Sequence, residues 1–181
     1  MEKRFIYVLF LFISLFVSSC ALTVKPAATK SAKAYYESFF VGEFGTQYFI
    51  KPIEFNAENG NENLFVDFTF RYKNELKDST IINFSIEGED VIRSVSEIIF
   101  TNAVSSVLVK NISLLFNEKK DKKLISRFSA KCSTQEMVDI FDDPGVSVTI
   151  NTNNSSNPFL SSKKSQKTIR SLRDNLYILF R

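Results

Sequence analysis

The chain has 181 residues, with 23 Lys and Arg against 20 Asp and Glu, so one domain is expected and no strongly basic face is on offer for nucleic acid. It contains no His, which removes the commonest general base, the commonest zinc ligand and any Ser–His or Cys–His nucleophile pair. Of its 19 Phe, all but Phe5, Phe10, Phe12 and Phe16 follow residue 20, enough to build an aromatic core without metal or disulfide staples.

Residues 1–4 carry Lys3 and Arg4, and Phe5 to Val17 then run FIYVLFLFISLFV, broken only by Ser14. As a helix these residues reach about 20 Å at ~1.5 Å each, short of a ~30 Å hydrocarbon core. A basic start, a short apolar stretch and then small residues is the layout of a secretory signal. The stretch ends in Val17, Ser18, Ser19 and Cys20. This resembles the bacterial lipobox: an aliphatic residue, two small residues and an obligatory Cys. The resemblance implies a signal peptide over 1–19, cut between Ser19 and Cys20, with a diacylglycerol on the Cys20 thiol and a new amino group open to acylation. Two or three chains hold a protein on a bilayer stably, whereas one does so only marginally. The expected location is therefore the cell envelope, lipid-anchored to a bacterial membrane, inner or outer. The resemblance covers residues 1–20 alone, and no family is recognised for 35–181.

Residues 20–34 read as the lipidated Cys followed by a flexible tether of small and mildly basic residues with Pro26. Such a chain spans roughly 20 Å root-mean-square by the ~5–6 Å × √n rule. Lys25, Lys30 and Lys33 are expected to serve solubility.

From Tyr35 a single β-rich domain is expected to run to Arg181. Leu64, Val66, Phe68, Phe70 and Tyr72 alternate with Phe65, Asp67, Thr69 and Arg71. The same period of two recurs at Ile82, Phe84 and Ile86, at Ile112, Leu114 and Phe116, at Phe128 and Ala130, and at Val146, Val148 and Ile150. Alternation of this kind predicts antiparallel strands with one buried face. Gly42–Gly45, Asn59-Gly60-Asn61, Lys77-Asp78 and Glu87-Gly88 supply turns, and the run from Asn117 to Lys123 reads as a solvated hairpin tip whose Lys discourage edge pairing. An antiparallel β-sandwich or half-barrel of about six to eight strands follows.

Three stretches differ. Residues 91–103 show helical spacing, with Asp90 a possible cap, while the SEIIF segment also reads as a strand; both remain open. Residues 133–142 predict a short helix, with Ser133 and Glu136 as a capping box and Met137, Ile140 and Phe141 on its face. Residues 165–180 place Ile169, Leu172, Leu176 and Leu179 on one side of a C-terminal amphipathic helix, expected to pack on the sheet. Asn151 to Ser162 reads as a polar loop.

No phosphate-binding, nucleophile-elbow, metalloprotease or CxxC motif occurs. Two acidic clusters, Glu87 with Glu89 and Asp90, and Asp139 with Asp142 and Asp143, offer hard oxygen ligands for Ca²⁺ but match no calcium-loop spacing. Cys132 is left without a disulfide partner and shares its strand side with Phe128 and Ala130, so an inert core thiol is expected. No catalytic residue, metal or cofactor is assigned. The expected function is a non-enzymatic binding or assembly module on a lipid tether, its partner the membrane through Cys20 and another envelope protein. The alternative is an enzyme or ligand carrier using carboxylate, Tyr or Lys groups in a pocket.

Overall fold

A computed structural model describes residues 34–73 and 79–180. The expected signal peptide, Ser19, Cys20 and all of the tether but Ala34 lie outside the described residues, as does the Lys77-Asp78 turn. Ten strands form one antiparallel sheet curled into a half-barrel, more strands than the sequence predicts. They are β1 (Tyr36–Phe40), β2 (Thr46–Ala57), β3 (Asn63–Tyr72), β4 (Ser79–Gly88) and β5 (Glu97–Thr101), then β6 (Ser106–Val109), β7 (Ser113–Lys120), β8 (Lys123–Ser133), β9 (Ser147–Asn151) and β10 (Ser156–Ser161). Two helices cover the concave face: α1 (Thr134–Ile140) follows β8, and α2 (Lys163–Asn175) follows β10.

The neighbour order is β6-β5-β9-β10-β2-β3-β4-β8-β7. β1 lies on the edge of β2 that β10 also uses. β1 pairs with Thr46 to Ile50, whereas β10 pairs with Phe55, Asn56 and Ala57. Between the two stretches the register of β2 against β3 slips, and Pro52 sits in that irregularity. A proline has no N–H for a ladder, so a bulge is where a long strand tolerates one.

The predicted alternation holds in β3, where Leu64, Val66, Phe68 and Phe70 are buried, and in β4, where Ile82, Phe84 and Ile86 are. Ile98 and Phe100 of β5, Val148 and Ile150 of β9 and Phe159 of β10 complete the sheet side of the core. Phe141 at the end of α1 closes it, its ring 5.1 Å from Phe68 and 6.1 Å from Phe100.

One open alternative is decided and three expectations are corrected. Residues 97–101 form a strand, because Ile98 and Phe100 pair against Ile150 and Val148 in a two-residue rhythm; residues 91–95 are irregular. The polar stretch after Asn151 is a hairpin, with Ser156 to Leu160 pairing back on β9 and Thr152 closing the turn through its side-chain oxygen. The C-terminal helix stops at Asn175 and a 3-10 turn spans Tyr177–Phe180. That break turns Leu179 outward and brings Tyr177 and Phe180 onto the core instead. Finally, β7 shows no buried face at all. It is an end strand paired with β8 alone, and unlike β6 at the other end, where Val107 and Val109 are buried, it has neither face covered.

The helix predicted over 133–142 forms over Thr134–Ile140, with the Ser133 half of the predicted capping box in place. Ser133 caps it, accepting a hydrogen bond from the Glu136 N–H at 3.4 Å, and Met137, Ile140 and Phe141 are buried. At α2 the cap is reciprocal: Ser162 and Ser165 exchange side-chain and backbone bonds at 2.8 and 3.2 Å.

Candidate interaction surface

The convex face of the sheet is built from the residues that alternate with the core. Register places Glu54, Phe65, Ser85, Arg127 and Phe116 in one row across β2, β3, β4, β8 and β7. The row beside it holds Asp67, Asn83 and Ser129. Arg127 reaches between rows, donating to Asp67 Oδ2 at 2.7 Å and to Ser85 Oγ at 2.8 Å, while Asn83 donates to Asp67 Oδ1 at 3.2 Å. The ion pair is partly shielded, so its geometry is held rather than averaged by solvent. Next to it Pro52, Phe65, Phe116 and Ile125 line an open groove of about 360 Å³ with Glu87 and Glu118 at one end.

That groove opens onto β7. All eight residues of this edge strand are exposed, including Leu115 at 52% and Phe116 at 44%. A register slip between Leu114 and Phe116 puts Leu115 in a bulge. The lysines expected to guard this edge are confined to its hairpin end, Lys119 and Lys120 beside the turn, and leave Ser113 to Phe116 unguarded.

A second apolar surface lies at the β1–β2 hairpin. Phe39, Phe40, Val41, Phe44 and Phe49 are all exposed, Phe40 at 75% and Phe44 at 64%. Phe39 meets Phe49 edge-on at 5.7 Å, and the Arg71 guanidinium stands 5.6 Å from the centre of the Phe44 ring.

No family model, no curated protein and no solved structure matches the chain. Its surfaces therefore have to be read from their own chemistry.

The structure disperses both acidic clusters. Glu87 faces Lys123 at 3.9 Å, and Asp90 instead approaches Glu62, whose carboxyl is pushed up by burial and then by Asp90. Glu62 and Asp90 line a cavity of about 490 Å³ between the β2–β3, β4–β5 and β9–β10 turns, with Asn157 donating to Glu62 at 3.5 Å. Asp143 is occupied with the backbone, accepting from the N–H groups of Ala103 and Gly145. Asp139 accepts from Gln135. Among the described residues no group of three or more Cys, Asp or Glu is placed to hold a metal ion, and no helix is long and apolar enough to cross a membrane.

Cys132 is half-buried against the core, and burial first and Glu136 second push its thiol up to about 12. A thiol so far above neutral pH is poorly nucleophilic. The exposed β7 edge and the aromatic hairpin both escape sequence reading. Periodicity reports which side chains share a face, not whether anything covers that face. The run Phe39-Phe40-Val41, with Phe44 between two glycines, is the available signal for the second.

Proposed function

We propose that this protein is a lipid-tethered envelope module that binds another protein through the free edge of β7 and the groove beside it. The observation that carries the reading is β7 itself, an eight-residue edge strand with no buried face and with Leu114, Leu115 and Phe116 in solvent. An unpaired edge presents a row of free N–H and C=O groups, the template for an added strand. Strand addition supplies backbone hydrogen bonds for affinity and side-chain pockets for choice. Phe65, Phe116 and Ile125 offer apolar pockets, with the Asp67–Arg127 pair as a polar mark beside them. The preferred partner segment is extended, with apolar residues at alternate positions. The lipobox-like ending at Cys20 supports the tether, which raises the local concentration of the domain near other envelope proteins and lets a modest interface suffice.

A photo-reactive phenylalanine analogue at position 115, introduced into the full-length protein in cells, tests the reading. Capture of one discrete protein, abolished when Phe116→Lys is added beside the probe, is expected. Capture that persists with Phe116→Lys, or none at position 115 while the same probe at Leu108 on β6 does capture, would reject the β7 edge. Robust turnover of a cell-wall, glycan, ester or peptide substrate by the purified domain, lost on changing one acidic residue, would reject the binding-module reading.

A further inference from the structure

The β1–β2 hairpin carries its aromatic residues on a frame that is itself well bonded. Val41 donates to the Gly45 carbonyl at 2.8 Å and Phe44 to the Val41 carbonyl at 3.2 Å, closing a 3-10 turn over Gly42–Phe44. Gly42 and Gly45 take φ of +58° and +84°, which other residues rarely adopt. The chain thus keeps a tight loop whose outward side chains are Phe40, Val41 and Phe44. Holding large aromatic rings in water is unfavourable, so a surface that presents several together marks a contact.

We infer that this hairpin docks onto the lipid surface that holds the anchor, with Phe40, Val41 and Phe44 in the acyl–headgroup boundary. The inference rests on the lipid-anchor reading above. Its first support is where the tether enters. Residues 20–34 lead into Tyr35, whose carbonyl accepts the Lys51 N–H at 2.9 Å, and β1 carries the chain straight from there to the hairpin tip. Five strand residues cover about 17 Å at ~3.3 Å each, against roughly 20 Å for the tether. The two lengths are alike, so the hairpin tip is within reach of the bilayer, and lipid is the most concentrated apolar partner at that distance.

The second support is the charge beside the rings. Arg71 stands over Phe44, and Lys73 lies against Gly45, where a Cβ would approach Lys73 Cβ to 2.8 Å. Apolar rings flanked by cations match a layer of acyl chains under phosphates. Glu43, in the same turn, is exposed and suits the ammonium groups of phosphatidylethanolamine.

The chain contains no Trp, so one introduced indole reports its own surroundings. Phe40→Trp and Phe44→Trp are made in the full-length protein, with Leu115→Trp on the distant β7 edge for comparison. Each is reconstituted into vesicles of mixed phosphatidylethanolamine and phosphatidylglycerol with brominated acyl chains, and the N-terminal peptide is read by mass spectrometry. Blue-shifted emission with strong loss of intensity to bromine at positions 40 and 44, and little at 115, is the expected result. A lipid-bearing Cys20 with no quenching at 40 and 44 overturns the docking and leaves the anchor standing. Equal quenching at all three positions also overturns it, since the domain then has no preferred orientation. A blue shift without quenching overturns it in favour of contact with a second copy of this chain, the one protein present. An unmodified Cys20 removes the anchor, and the docking falls with it.

Discussion

Asn102 is the residue on which two parts of the fold depend. Its side-chain oxygen accepts from the N–H groups of Val104 and Ser105, and its amide donates to the carbonyls of Asp139 and Ile140 at the end of α1. One side chain closes the β5–β6 turn and satisfies two carbonyls that the helix leaves free. Asn102→Ala should cost about 1–3 kcal/mol, seen as a lower denaturation midpoint with an unchanged slope. Tyr177 presents the opposite case. It is fully buried, and its hydroxyl has no partner among the described residues. Tyr177→Phe should stabilise the fold by about 1 kcal/mol, seen as a higher midpoint, because the desolvated hydroxyl returns nothing in the native state.

The same burial makes a pH statement. Burial raises Tyr177 well above 10, and Tyr36 and Tyr48 are raised by burial as well. A group whose folded value is raised contributes stability that is complete below its unfolded value and is lost as pH climbs past it. The domain should therefore lose stability steeply above about pH 10, with tyrosinate absorbance rising in step with unfolding. Tyr177→Phe should flatten that loss. Independent titration of all tyrosines in a folded protein would contradict it. Cys132, pushed up to about 12, should label slowly with a thiol reagent until denaturant is added.

At the scale of elements, the sequence was most legible where local and tertiary signals agree. β3 and β4 alternate cleanly and are paired on both sides, so pattern and burial coincide. α1 carries its cap at Ser133, a signal that acts within four residues. The stretch at 91–103 is ambiguous because Val91, Ile92 and Val95 mimic a helical face, and pairing with β9 on one side and β6 on the other decides for a strand. Nothing local announces that Ser156 pairs with Asn151, since Asn and Ser favour turns and Pro158 argues against a strand. β10 escapes the usual exclusion of Pro because its ladder with β2 starts only at Phe159. As for the candidate surfaces, the residues of the Asp67–Arg127 pair were visible but their meeting was not, being set by the neighbour order β3-β4-β8.

The hairpin offers a sharp test at this scale. A Cβ on Gly45 would overlap the Tyr72 carbonyl oxygen, and its φ is one that only glycine adopts readily. Gly45→Ala should destabilise by more than about 1 kcal/mol, with hydrogen exchange accelerated first in β1 and the start of β2. Protection lost evenly over the sheet would show that the hairpin and the barrel open as one unit.

For the whole molecule, the described domain accounts for its own core. A soluble form beginning at Ser31 should fold alone, with circular dichroism dominated by strand. By strand pairing the sheet nevertheless divides into two groups, β1-β2-β3-β4-β8-β7 and β6-β5-β9-β10, whose ladders meet where Phe55, Asn56 and Ala57 pair with Ser161, Leu160 and Phe159. Deleting residues 156–181 removes that join together with α2. The remainder should show no cooperative unfolding transition; a sharp transition in the truncated protein would mean the first group stands by itself.

The short join between β2 and β10 also bears on when the molecule can exist. Ala57 waits for Phe159, more than half the chain away, and long-range pairings of this kind close slowly. A chain emerging from the ribosome holds its first strands long before the last one is made. Until residues near 161 arrive, the two groups of strands have no ladder between them. On the proposed reading of a lipid-tethered envelope protein, which crosses a membrane before it works, that delay is an advantage: a chain that closes late is one that can still be exported.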